Sequence, residues 1–187
     1  MNRKCQVFTP EKYVRELLDS VGYTHNLYGK KILENSCGDG NILVTVVQRY
    51  IDDCKEKGLH RTTIKNGLAK DIYGIEIDEE QYKKCIDNLD EVLKLNDIDK
   101  VDWKVINTDY LKWNTTIKFQ YIVGNPPYIA YSELKDEERL FLKGNFSTCV
   151  KGKFDYCYAF IEKSIKSLAD NGKMSYLIPS SIYKTVF

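Results

Sequence analysis

At 187 residues, with 28 basic against 27 acidic side chains and a net charge of +1, the chain is long enough for one domain with a sizeable core. It carries no overall field that would draw it to nucleic acid or to an anionic membrane. No apolar run reaches the roughly 18 residues of a transmembrane helix, and the opening MNRKCQVFTPEK lacks a secretory apolar stretch, so a cytoplasmic protein with no membrane partner is expected.

Thr9-Pro10-Glu11 reads as a helix start, with Thr9 as N-cap acceptor and Pro10 at the first helical position. Val14, Leu17, Leu18 and Val21 then recur at helical spacing until Gly22, which gives residues 1–28 the character of an N-terminal helical arm. KILENS (31–36) is a short apolar run breaking into polar residues, a strand end. Ile42, Leu43, Val46, Val47, Tyr50, Ile51 and Cys54 mark one face of a second helix ending near Gly58. Residues 59–71 are polar and basic and read as a loop. DIYGIEID supplies a second strand, followed by a helix with its stripe at Tyr82, Cys85, Ile86, Leu89, Val92 and Leu93. VDWKVIN and FQYIVG give the third and fourth strands.

Residues 131–153 are a charged insertion with a short helix expected over 134–142. Tyr156, Phe160, Ile161, Ile165 and Leu168 mark another helix, Asp170-Asn171-Gly172 a turn, and KMSYLIP a fifth strand. Strands alternating with such helices imply an α/β fold with a mostly parallel sheet and helices on both faces, in which ligands bind beyond the carboxyl ends of the strands. The closing PSSIYKTVF ends where a further helix could begin, so the sheet is expected to lack its last strands and the chain to be the N-terminal part of a longer polypeptide.

Six cysteines (Cys5, Cys37, Cys54, Cys85, Cys149, Cys157) form no CxxC pair, and His25 and His60 are the only imidazoles. Buried free thiols are therefore expected, with no disulfide framework and no metal site. The polar motifs fall at strand ends. ENSCGDGN after the first strand is a glycine turn at Gly38 and Gly40, without the third glycine of a dinucleotide fingerprint or the lysine of a triphosphate loop. Glu34 can take an ammonium, Glu76 both hydroxyls of a ribose, and Asp109 an exocyclic amine of adenine. This ring of carboxylates suits a zwitterionic adenosine ligand without phosphate and repels a pyrophosphate; S-adenosylmethionine fits.

In GNPPY, Pro126 and Pro127 terminate the fourth strand and stiffen its backbone. A stiff turn there can aim the Asn125 side-chain oxygen and the Pro126 carbonyl at one amine, beside the flat face of Tyr128. Accepting both N–H bonds disperses the positive charge that grows as a conjugated amine attacks a methyl group, and no histidine base is needed beforehand.

With FTP (8–10), ENSCGDG (34–40), GIEID (74–78), NTDYL (107–111), GNPPY (124–128), FDYCYAFIE (154–162) and GKMSYLIPSS (172–181) in this order, the chain resembles the N6-adenine DNA methyltransferases of restriction-modification systems over nearly its whole length. The resemblance implies a Rossmann-like S-adenosylmethionine-dependent fold and an enzyme whose partner is double-stranded DNA. By it, Thr9 and Pro10 lie against the cofactor's methionine end, with Glu34, Ser36, Gly38 and Gly40 in the loop around it. Glu76 holds the ribose, Ile77 and Tyr110 pack on the adenine, and Asp109 accepts from its amine. Asn125, counted with both cofactor and target, and Pro126 take the target hydrogens, Pro127 stiffens the turn, and Tyr128 stacks on a flipped-out base.

Two departures stand out. Asn35 replaces the proline usual after the first acid, which is expected to loosen the loop. The family's target recognition region, with a second aromatic for the base, lies C-terminal to these motifs, so residues 1–187 should bind cofactor better than DNA. Similar NPPY motifs methylate a glutamine amide of peptide release factors or guanine N2 in rRNA; a non-catalytic cofactor-binding domain is a third reading. Lys143, Lys151 and Lys153 form a tract without acids that either is solvated or touches phosphates.

Overall fold

The computed structural model describes residues 9–179. In chain order the elements are α1 (Glu11–Ser20), β1 (Ile32–Glu34), α2 (Asn41–Glu56), α3 (Arg61–Asp71), β2 (Ile72–Glu76), α4 (Glu79–Leu95), β3 (Lys104–Asn107), β4 (Phe119–Gly124), α5 (Asp136–Asn145), α6 (Cys157–Ser167) and β5 (Leu168–Tyr176). The five strands form one parallel sheet in the order β3-β2-β1-β4-β5. Strand order reverses beside β1, and the crevice at such a reversal is where parallel α/β sheets bind ligands.

Alternation along the strands divides the core into two layers. Ile32, Ile72, Val105, Tyr121 and Val123 pack with Val14, Leu18, Val46, Val47, Leu68 and Leu89 of α1 to α4. Leu33, Ile75, Phe119 and Ile122 pack on the other face with Leu142 of α5 and Phe160 of α6. Helices thus cover both faces, as the alternation of strands and helices predicts.

Three expectations are corrected. Residues 59–71 are not a loop: α3 occupies Arg61–Asp71, capped by the His60 ring, which accepts from Thr62 N at 3.3 Å. Its apolar signal is only Ile64 and Leu68, four apart and both fully buried, too sparse to read as a stripe. Thr9 does not cap α1. Pro10 holds the cap position without a side-chain bond, and Thr9 is used elsewhere. The turn expected at 170–172 lies inside β5: pairing with β4 jumps from Phe119–Leu168 to Tyr121–Lys173, and Asn171 takes a left-handed φ of 61° in the interruption.

Within the arm expected over residues 1–28, α1 is the helix among the described residues; Phe8 of the FTP motif and Ser180-Ser181 of the last motif lie outside them. The five described cysteines are buried free thiols, and Cys5 lies outside the described residues. No helix among the described residues is long and apolar enough to cross a membrane.

Candidate active site at the carboxyl ends of the strands

The end of β1 turns sharply at Gly38 and Gly40, whose φ values of 53° and 88° lie in the left-handed region that favours glycine. A Cβ on Gly40 would also meet the Cys85 Sγ at 2.8 Å, so the glycine lets α2 begin directly against α4. Glu76, at the end of β2, fastens this turn: its Oε2 accepts from Gly38 N and its Oε1 from Asp78 N, each at 2.8 Å. Burial raises the Glu76 pKa against the opposing pull of these N–H donors.

Glu34 is 2% exposed and its Oε2 has no hydrogen-bond partner among the described residues. Burial, with the Cys85 thiol and the Glu76 carboxylate nearby, holds its pKa well above the usual carboxylate range. An orphaned acidic oxygen of this kind is costly unless a cation or donor meets it. Asp109, just past β3, accepts from Leu111 N at 2.9 Å and lies 3.7 Å from the Lys112 Nζ. The loop bearing it is tied down by Lys163 of α6, whose Nζ donates to the carbonyls of Leu111 (3.0 Å) and Trp113 (2.6 Å).

At the end of β4, Pro126 is buried and Asn125 and Tyr128 are half-buried. Three contacts converge on Asn125. Ser36 Oγ donates to its carbonyl at 3.2 Å, its own Nδ2 faces Thr9 Oγ1 at 3.4 Å, and the Tyr128 hydroxyl donates to its Oδ1 at 2.8 Å. Residues of the first, second and fifth motifs, separated by up to 116 positions, therefore meet at one point.

Most of the residues singled out in the sequence gather at this end of the sheet. Ile77 projects from the end of β2 at 68% exposure, an apolar side chain free to meet a ligand. Tyr110 departs from expectation. It is 2% exposed, its ring lies 5.2 Å from that of Phe160, and its hydroxyl bonds to Ser164 at 2.8 Å, so most of its surface is taken up by core contacts. Asn35 departs in the opposite sense from a loosened loop. It is 1% exposed, and its Nδ2 donates to Ser164 Oγ at 2.9 Å and to the Tyr176 hydroxyl. With the Ser164–Tyr176 bond at 2.6 Å, these side chains form a buried polar network joining the ends of β1 and β5 to α6 and the Asp109 loop.

Sequence reasoning missed Ser164, Tyr176 and Glu162. Each sits in a recognised motif or beside one, but a lone polar group among the apolar residues of a helix or strand gives no pattern until its partners are known.

A family model described as Eco57I restriction-modification methylase matches residues 62–186. The chain belongs to the Eco57I restriction-modification methylase family. Among curated relatives it is 32% identical over 180 residues to type II methyltransferase M.BstVI of Geobacillus stearothermophilus, covering 90% of this chain and 32% of the relative. It is 30% identical over 182 residues to modification methylase CviBIII of Paramecium bursaria Chlorella virus NC1A, covering 96% and 39%. The chain thus spans about a third of the length of these relatives. Among solved structures, the type ISP restriction-modification enzyme LlaGI, determined with a DNA substrate mimic, superposes with a TM-score of 0.70 at 17% identity over 91% of this chain and 18% of that one. This likeness is one of fold. In this family member, the glycine turn after β1 and the Asn-Pro-Pro-Tyr turn after β4 lie on adjacent strands at the reversal of strand order.

Proposed function

We propose that the protein carrying this chain transfers a methyl group from S-adenosylmethionine to the exocyclic N6 amine of an adenine flipped out of duplex DNA, as the modification activity of a restriction-modification system. One observation carries this reading. Because the sheet runs β3-β2-β1-β4, the polar strand ends read laterally Asp109, Glu76, Glu34, Asn125. Three strand spacings of about 4.8 Å make this row roughly 14 Å long, the span of an extended adenosyl amino acid with its target beside it.

The residues present fit S-adenosylmethionine. The orphaned Glu34 oxygen awaits a cation, Glu76 has lone pairs to spare for ribose hydroxyls, Asp109 stands at the adenine end, and exposed Ile77 covers the base. Bound there, the cofactor supplies a methyl group made electrophilic by its sulfonium. The chain's own task is to hold the attacking nitrogen. Asn125 Oδ1 and the Pro126 carbonyl accept its two hydrogens, the buried proline keeps that carbonyl fixed, and Tyr128 stacks on the base. Both histidines are exposed and remote from this row, in keeping with a proton that leaves after attack and not before it.

Residues 1–187 act in this reading as a methyltransferase catalytic domain, and DNA recognition is supplied chiefly by sequence C-terminal to them. Labelled cofactor offered to the protein with DNA, rRNA and a release factor in parallel tests the assignment. Label in DNA supports it, and label in release factor or rRNA alone replaces it.

A further inference from the structure

Directly after GNPPYI the chain leaves the sheet, and it returns at an antiparallel bridge between Ala130 and Asp155, with Tyr156 N donating to Ile129 O at 3.0 Å. The excursion between, residues 131–154, is therefore rooted at both ends beside the Asn125–Tyr128 turn. Its charges are segregated. All four acids (Glu133, Asp136, Glu137, Glu138) precede Leu140, and three of them are engaged locally: Glu133 with Ala130 N, Glu138 with Lys135 N and Asp136 with Arg139. Lys143, Lys151 and Lys153 follow with no acid among them, and none forms an ion pair among the described residues.

Elsewhere Lys57, Lys83, Lys84, Lys94 and Lys166 each sit 2.5 to 2.8 Å from a carboxylate three or four residues away, while Lys30, Lys65, Lys70 and Lys118 also lack an ion pair among the described residues. What sets the tract apart is three lysines with no acid among them, beside the Asn125–Tyr128 turn. The lysine tract also stands on a fixed platform. Between Lys143 and Lys151, buried Glu162 of α6 accepts from Ser147 Oγ (3.0 Å), Thr148 N (2.8 Å) and Thr148 Oγ1 (2.9 Å), and Cys149 is fully buried. Lys143 is further placed by Tyr131, with its Nζ 3.4 Å from the hydroxyl and 5.5 Å from the ring centroid.

We propose that Lys143, Lys151 and Lys153 form a rim that grips the phosphodiester backbone of duplex DNA flanking the base presented to Tyr128; this rests on the DNA reading above. Like charges carried on one short tract without acids repel one another, and a row of phosphates relieves that repulsion. Lysine is a strongly hydrated point charge on a flexible stem, suited to positioning on the backbone without reading sequence. The rim gives the catalytic domain its own DNA contact, independent of any recognition region.

The test compares the protein carrying this chain with its K143Q/K151Q/K153Q variant in binding to a short duplex over a range of salt. Each lost phosphate contact lowers the slope of log K against log salt by about 0.9, so a fall of about 2 to 3 is expected. Cofactor affinity and kcat at saturating DNA should remain within about twofold, and the charge-matched K83Q/K84Q/K94Q variant on α4 should keep the original slope. An unchanged slope in the first variant, or an equal loss in the second, overturns the inference alone. Absence of salt-dependent DNA binding by the unsubstituted protein overturns the DNA reading and the rim together.

Discussion

The hydroxyl of Tyr128 donates to the Oδ1 of Asn125 across 2.8 Å, within the same turn that is to hold the target amine. An amide oxygen has two acceptor sites, so this bond orients the Asn125 side chain and leaves one site for the substrate. Tyr128→Phe keeps the stacking face and loses about 0.5 to 1.5 kcal/mol of hydrogen bonding, so kcat should fall by roughly 2- to 10-fold with little change in DNA KM. Tyr128→Ala also removes base stacking of about 1 to 3 kcal/mol and should lower kcat/KM by a further ~10- to 100-fold. Steady-state kinetics on both variants checks this; equal losses would show that the hydroxyl and not the ring carries the role.

Glu34 makes the free protein's stability depend on pH. Its folded pKa is raised by burial, so the stabilising effect of its protonated form is present below the ordinary carboxylate range and is lost as pH rises through the raised value. A bound ammonium favours the ionised form, so cofactor binding should release a proton and tighten as pH rises, levelling off above the raised pKa. Calorimetry in buffers of differing ionisation enthalpy reads the proton. Glu34→Gln should abolish the release and flatten the pH dependence.

Glu162 behaves in the reverse sense. Burial pushes its carboxyl up, but Lys166 and the Thr148 and Ser147 donors outweigh this and bring it down to about 2. Its contribution is fully present above the unfolded carboxylate pKa and lost as pH falls through about 2. Glu162→Gln should lower Tm at neutral pH and reduce its fall in acid. Matching acid profiles for both proteins would remove the role assigned to this carboxylate.

Asn35→Ala leaves the Ser164 and Tyr176 hydroxyls short of a buried partner, at a cost of about 1 to 3 kcal/mol. A thermal scan should show Tm lowered by roughly 2 to 10 °C. A substitution to proline that raised Tm instead would mean the network contributes less than backbone stiffness at this position.

The strands and the longer helices were legible because their apolar periods are complete: FQYIVG is β4 residue for residue, and the stripe from Cys85 to Leu93 lies buried on α4. The carboxylates and GNPPY were legible because parallel α/β topology sends strand-end residues to one place, whatever the loops do. What stayed hidden depends on partners distant in sequence. Ile64 and Leu68 gain meaning only within the core cluster they share with the buried face of α2. Asn35 looked like a lost proline until Ser164, 129 positions away, supplied its bond. Tyr110 likewise has partners, Phe160 and Ser164, that its own motif does not show.

The central claim is that Asn125 and Pro126 hold the N6 amine of adenine for methyl transfer. Its most direct measurement is nucleoside analysis of DNA methylated by the protein and by its Asn125→Ala variant, with cofactor affinity measured alongside. N6-methyladenine as the product, with transfer reduced at least ~100-fold in the variant while cofactor affinity stays within a few fold, is the predicted result. Methylation at a different atom, or N6-methyladenine formed at the original rate by the variant, would contradict it.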